Sequence, residues 1–331
     1  MYKRLEDVVQ DLNRLRENGR QRGYSVGWEW DILPYTVILG STTYMAAAPA
    51  TGKTELILEF QINLSCLHGL NHAIFTPETG SAEDIFSELC HKYIGKPYIK
   101  SEWQMDERER LIAENFVNSH FVIVDMEDED ITATEFYELV NKIEDNTGLK
   151  IHTTLVDPWN ELKEEFNHED LGREDKYLSR MLGWIRKNAR TTKRHHFILT
   201  HVRDQALVSQ GGITYYPAPH AREFAGGQTW FRKGNTMLIP WRPPYGLSDG
   251  NNRAYGKNET ILRIAKSKPK GTSENGKYIM NLDTARYQYY FENEQEQRVY
   301  ANRGKEHTFL ESNQEPKPLP FNTNFNEEMP F

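Results

Sequence analysis

The stretch of this chain with the clearest capacity for chemistry runs from Tyr44 to Ile62, YMAAAPATGKTELILEFQI. Apolar residues lead into a turn of Ala48, Pro49, Ala50 and Thr51. Gly52, Lys53 and Thr54 then open a helical spacing of Leu56, Ile57, Phe60 and Leu64. Backbone N–H groups of such a turn, with the N-terminus of the helix, wrap phosphates, while the lysine reaches the outer phosphate groups and the threonine hydroxyl sits on Mg²⁺. The full pattern GxxxxGK[ST] begins with glycine, where this chain has Ala47. A bare GKT arises by chance as well, but the preceding strand and following helix weigh for a nucleotide loop.

Three later segments end in groups that suit the same chemistry. HAIFTPETG reads as a strand closing on Glu78. Ligands of an open parallel sheet lie beyond the carboxyl ends of its strands, so Glu78 would face the γ-phosphate and orient the attacking water. A surface acid ahead of the helix SAEDIFSELCHKYIG is the competing reading. KIHTTLVDPWNEL closes on Asp157, the acid expected to hold Mg²⁺ directly or through water. Pro158 follows it rather than a second acid, which leaves the base role to Glu78. HHFILTHVRD ends in His201, a polar tip able to touch the γ-phosphate and report its loss. Arg203 to Gln228 then reads as a long loop, and loops of that length are functional or disordered.

The elements that must position these groups follow in order. Residues 2–18 place Leu5, Val8, Val9, Leu12 and Leu15 on one helical face, an amphipathic helix that packs on its own domain or docks on a neighbouring subunit. GRQRGYS is a linker, and the core begins at Val26. The expected domains are 1–25, helix and linker; 26–292, one α/β unit with a mainly parallel sheet flanked by helices; and 293–331, a polar, disordered tail. MLIPWRPP and ETILRIAKSKPKG are late strands, and KYIMNLD with RYQYYF forms a final hairpin. The net charge of −8 argues against a uniformly basic nucleic-acid coat but not against a basic inner surface of a ring. The two cysteines, Cys66 and Cys90, lack ligand spacing, which disfavours a zinc site or disulfide framework and fits a reducing cytoplasm. No signal peptide opens the chain, and no apolar run is long enough to span a membrane.

In the order APATGKTE, FTPE, LVDPWNEL, LTHVRD and GGQTWF, the chain resembles the RecA-like motor domain of hexameric replicative helicases, the DnaB, Twinkle and phage primase-helicase family. The resemblance covers roughly residues 26–291. It implies a P-loop ATPase in which Ala48 to Thr54 bind ATP, Thr54 and Asp157 serve Mg²⁺, Glu78 activates water and His201 is the sensor. It also implies a ring, a hexamer by family, that moves 5′-to-3′ on single-stranded DNA in a bacterial cytoplasm, in a phage or mobile-element setting. The neighbour's catalytic finger matches Lys268, where the family carries arginine. Arg242, at the end of the preceding strand, and Tyr287, in the final hairpin, are candidates for packing on the adenine. The loop after His201 matches the DNA loop of the central channel, so that Arg203 and the N–H groups of Gly211 and Gly212 would contact phosphates, with Tyr215 and Tyr216 able to stack bases or to pack the loop. The ending Glu327, Glu328 and Phe331 resembles acidic tails that dock on replication partners. Two other readings stand beside a helicase: a DNA-binding ATPase that loads, remodels or recombines strands without unwinding, and a non-enzymatic ATP-binding subunit.

Overall fold

The computed structural model describes residues 2–20, 22–126, 130–250 and 253–304. The acidic run after Met126 lies partly outside them, and the tail with Glu327, Glu328 and Phe331 wholly so. Fourteen strands occur among the described residues: β1 Tyr24–Ser25, β2 Thr36–Val37, β3 Thr42–Ala47, β4 His72–Phe75, β5 Phe121–Ile123, β6 Thr153–Val156, β7 His195–His201, β8 Val208–Gln210, β9 Ile213–Tyr215, β10 Thr236–Trp241, β11 Glu259–Lys266, β12 Gly276–Asp283, β13 Gln288–Glu292 and β14 Arg298–Tyr300. The helices are α1 Val9–Asn18, α2 Lys53–His68, α3 Ala82–Ile94, α4 Glu107–His120, α5 Ala133–Thr147, α6 Glu174–Thr192 and α7 Gln228–Lys233.

Ten strands form one sheet in the order β14-β13-β12-β11-β10-β3-β7-β6-β4-β5. From β10 to β5 the neighbours are parallel; from β10 to β14 they are antiparallel. Every residue of β3, β4 and β6 is buried, as expected of parallel strands covered on both faces. Helix boundaries follow local chemistry. Ser81, Asp106 and Thr132 each cap a helix reciprocally with an acid three residues on, and Gly69, Gly95 and Gly148 end helices in left-handed conformation. Among the described residues, no helix is long and apolar enough to cross a membrane.

The structure moves one predicted boundary. Residues beyond Glu292 were expected to form a polar tail, yet β14 pairs with β13 and the chain is held to Gly304. The cause is Arg303. Its buried guanidinium donates to Glu59 Oε1 at 2.9 Å, Asn63 Oδ1 at 2.7 Å and the carbonyl of Lys92 at 2.7 Å, bolting the segment to α2 and α3. Asn302 N–H donates to the carbonyl of Gly27 and Trp28 Nε1–H to that of Val299, so the segment also clasps the start of the core. Arg303→Met would leave Glu59 charged, buried and uncompensated; removal of one partner of such a pair costs about 3–5 kcal/mol. The expected outcome is a clear fall in the urea midpoint, partly restored by Glu59→Gln in the same chain. An unchanged midpoint would contradict it.

At the amino edge of the parallel strands lies a belt of buried imidazoles. His72 is within 2.7 Å of Thr153 Oγ1 and 2.9 Å of Ser65 Oγ. His195 lies 3.0 Å from Thr43 Oγ1 and 2.9 Å from the Ile38 carbonyl; His196 lies 2.8 Å from Thr154 Oγ1 and 3.0 Å from Asn188 Oδ1. Burial depresses the pKa of all three, His195 to about 4, so they stand neutral.

α1 contributes nothing to this core. None of its residues is buried, and Leu5 just before it is 72% exposed and Leu12 within it 41%.

Candidate nucleotide site

The strand order gathers the chemistry. Reading across the carboxyl edge, the tips of β3, β7, β6 and β4 are consecutive, and they carry the phosphate loop, His201, Asp157 and Glu78. Ala47 is the last residue of β3, buried and paired with His201. The left-handed turns of the loop fall instead at Ala50, φ 58°, and Gly52, φ 81°. Position 47 therefore has no need of glycine here. Thr51 Oγ1–H closes the loop on the Ala48 carbonyl at 2.8 Å, and Gly52 caps α2, whose N-terminus opens toward the loop.

Three side chains meet just inside it. Thr54 Oγ1–H donates to Asp157 Oδ2 at 2.5 Å, and Lys53 Nζ sits 3.5 Å from the Ala47 carbonyl. Burial lowers the Lys53 pKa, against the opposing pull of Asp157, Glu78 and Glu55. Burial likewise pushes Asp157 up to about 6, although Thr54 and Lys53 oppose it. A carboxylate so short of compensating charge, beside a hydroxyl oxygen, is a fitting donor pair for a hard divalent cation, which Mg²⁺ takes as one or two protein oxygens completed by phosphates and water. Thr54 and Asp157 are thus the residues that would hold it, and bound Mg²⁺ would neutralise charge on the phosphates. Glu78, in the short turn Pro77–Thr79 after β4, places Oε1 3.3 Å from His201 Nε2. The two residues singled out for the γ-phosphate end of the site therefore touch.

The remaining expected residues divide. Arg242, directly after β10, sits at the same edge, with Nη2 3.4 Å from both the Lys257 carbonyl and Asn258 Oδ1. Tyr287 donates to Glu55 Oε1 at 3.3 Å in the first turn of α2, and its ring is already stacked on His91 and covered by the Lys92 ammonium. Lys268 is not at this site. β11 runs antiparallel to β10 and pairs Lys266 with Met237 near the start of that strand, so the exposed Lys268 emerges at the opposite edge. Lys266 turns inward and donates to the Phe231 carbonyl.

The stretch read as a continuous loop after His201 contains a hairpin, β8 and β9, turned by Gly211 and Gly212 at φ 59° and 79°. Two consecutive positive φ values are what a tight hairpin turn requires. Arg203 lies exposed at its base, its guanidinium against Gly227. Tyr215 packs: its hydroxyl donates to Gln210 and its ring lies 6.3 Å from Trp241. Tyr216 is 52% exposed. The GGQTWF segment is a structural anchor, with Trp230 buried against Tyr44, Trp159 and Phe224. Glu55 and Tyr289 were not singled out from sequence; both sit against the phosphate loop or the turn after it.

A glycine-lysine-threonine loop between a buried parallel strand and a helix, with acids on the neighbouring strand tips of a mainly parallel sheet, defines a RecA-like fold. Comparisons with solved structures agree with that fold. The ATPase domain of G40P superposes with a TM-score of 0.66 at 14% identity, over 87% of this chain and 99% of that one. A DnaB-like replicative helicase, described with its interactions with primase, superposes with a TM-score of 0.66 at 15% identity, over 87% of this chain and 67% of that one. Among curated proteins, the chain is 24% identical over 235 residues to the chloroplastic/mitochondrial Twinkle homolog protein of Arabidopsis thaliana. That alignment covers 69% of this chain and 31% of the relative. No protein-family model matches the chain.

Proposed function

We propose that the chain is an ATP-hydrolysing DNA motor that assembles as a ring, a hexamer by family resemblance, and translocates on single-stranded DNA as a 5′-to-3′ helicase. The observation that carries this reading is the row of strand tips that brings Lys53, Thr54, Asp157, His201 and Glu78 together. Lys53 and the loop N–H groups bind and orient the phosphates, Asp157 and Thr54 take the metal side, and Glu78 accepts the proton of the attacking water. His201, in contact with Glu78 and at the root of the β8–β9 loop, links the state of the γ-phosphate to that loop. Arg203 and the Gly211–Gly212 turn contact DNA phosphates. Arg242 flanks the base, whereas Tyr287, its ring taken up by His91 and Lys92, supports the start of α2 through Glu55. The likeness to DnaB-like and Twinkle proteins supports this reading.

Lys268 fits the same scheme only in trans. It stands at the edge opposite its own phosphate loop, so it serves the site of a second copy. The face of α1 that is left exposed among the described residues supports the same assembly, and α3 and α4 frame an apolar cavity of about 370 Å³, lined by Phe86, Cys90, Tyr98 and Val117, on which the helix of a neighbour would pack. Leu12→Asp is expected to reduce the assembly to monomer in sedimentation with the fold intact; an assembly of unchanged size would contradict a role for α1.

One observation favours a second reading. A lysine at 268 offers a point charge in place of the planar fork of arginine, and such fingers are worth about 10³–10⁵ in rate elsewhere. Weak turnover suits an ATPase that loads or remodels strands without unwinding. A forked duplex with a 5′ tail separates the two: strand release with ATP supports the helicase, whereas DNA-stimulated hydrolysis without release supports the remodeller. The reading that the tail ending at Phe331 engages a replication partner stands as part of this proposal.

A further inference from the structure

We infer that Tyr289 is a positioning residue of the phosphate loop, and that its hydroxyl is a second, separable reason for glycine at position 52. The inference rests on the nucleotide-binding role proposed above.

Tyr289 lies in β13, in the antiparallel half of the sheet, and is buried. Its hydroxyl donates to the Gly52 carbonyl at 3.3 Å. The same carbonyl accepts the N–H of Leu56 at 3.1 Å, the first bond of α2. The Gly52 carbonyl and the Lys53 N–H belong to one planar, trans peptide and point in opposite directions. Two donors that hold the carbonyl inward therefore hold the Lys53 N–H outward, toward the place where phosphates bind. Burial pushes the Tyr289 phenol up from its ordinary value, so the group stays a neutral donor.

β13 is itself seated before it reaches the loop. Gln288 Nε2–H donates to the Lys92 carbonyl at 2.6 Å and Lys92 Nζ–H to the Tyr287 carbonyl at 3.1 Å. Tyr287, at a left-handed φ of 57°, delivers its hydroxyl to Glu55 one turn along α2. A non-glycine residue in that conformation persists where its surroundings over-determine it. The strand thus grips the start of α2 at two points.

Gly52 carries two constraints. Its φ of 81° disfavours any side chain. In addition, a Cβ there would lie 2.5 Å from the Tyr289 hydroxyl oxygen, while its next neighbours, Glu55 Oε2 and Tyr289 Cζ, would be at 3.7 and 3.8 Å. Removing that one oxygen removes the steric constraint and leaves the conformational one.

The test is MgADP binding by calorimetry and steady-state ATP turnover on the full chain, for the wild type, Tyr289→Phe, Gly52→Ala, the double variant and Lys53→Ala. Loss of one net hydrogen bond predicts that Tyr289→Phe weakens MgADP about 2–10-fold and raises the KM for ATP in step, with kcat at saturation changed less. Gly52→Ala is expected to lose more, and the double variant to bind tighter than Gly52→Ala alone, because the clash is gone. The rescue tests the steric half of the inference; the positioning half is tested by Tyr289→Phe itself, since a residue that only packs the core would leave MgADP affinity and the KM for ATP unchanged. MgADP affinity of Tyr289→Phe equal to wild type, or an additive cycle, overturns the inference while Lys53→Ala still weakens binding. If Lys53→Ala binds MgADP as the wild type does, the nucleotide-site reading itself has failed, and this inference with it.

Discussion

Lys53→Ala is expected to lower ATP turnover by at least about 10²–10³-fold, the usual cost of removing one preorganised donor to a developing charge, and to weaken MgADP binding as well. The structure gives the loss a second source. Asp157, Glu78 and Glu55 all act electrostatically on the one ammonium of Lys53. Without it their mutual repulsion, which adds to burial in raising the pKa of Asp157, is joined by that of the incoming phosphates. Steady-state hydrolysis and calorimetry measure the two losses. Lys53→Arg keeps the charge but exchanges a compact ammonium for a planar fork, so it should recover binding more than turnover. Turnover of the alanine variant within a few-fold of wild type would contradict the assignment.

The second large effect is on stability in mild acid. His72, His195 and His196 are neutral in the fold, with pKa values depressed by burial, while the unfolded chain takes up protons near 6.5. Their contribution is fully present above pH 6.5 and is lost as the pH falls toward the folded-state values. Each loses about 1.4 kcal/mol per pH unit in that window; for His195, from 6.5 to about 4, that is roughly 3 kcal/mol. Two carboxyls act in the opposite sense. Burial raises Glu88 to about 7 and Asp157 to about 6, so their contribution grows as the pH falls through those values. With three imidazoles on the losing side and two carboxyls on the other, stability is expected to fall as the pH drops below 6.5 toward 4. Urea denaturation across pH 4–7 checks this, and His195→Gln should flatten the acid limb by about one proton. An acid limb unchanged in that variant would contradict the belt's role.

Much of the site was legible because its signals are local. A glycine-lysine-threonine turn between an apolar strand and a helix, and polar residues closing apolar runs, are patterns a few residues long, and the parallel order of β3, β7, β6 and β4 sets those ends side by side. What escaped depends on pairing across the chain. Arg303 reads as one more charge in a polar run, and only its contact with Glu59, 244 positions earlier, makes it core. In the β8–β9 hairpin β8 is exposed throughout and β9 half-buries only Ile213 and Tyr215, too short an apolar alternation to announce a strand pair. Tyr289 sits in an aromatic cluster that reads as ordinary strand; its value comes from the loop it reaches. That Lys268 stands opposite its own phosphate loop follows from strand direction, which the residues around it do not encode.

The most direct test of the motor assignment is ATP hydrolysis with and without single-stranded DNA, wild type beside Glu78→Gln. DNA is expected to raise wild-type turnover, and the variant to lose about 10²–10⁴-fold, the usual contribution of a general base, while still binding MgADP. A wild-type protein that binds MgADP but hydrolyses ATP no faster with DNA would contradict it.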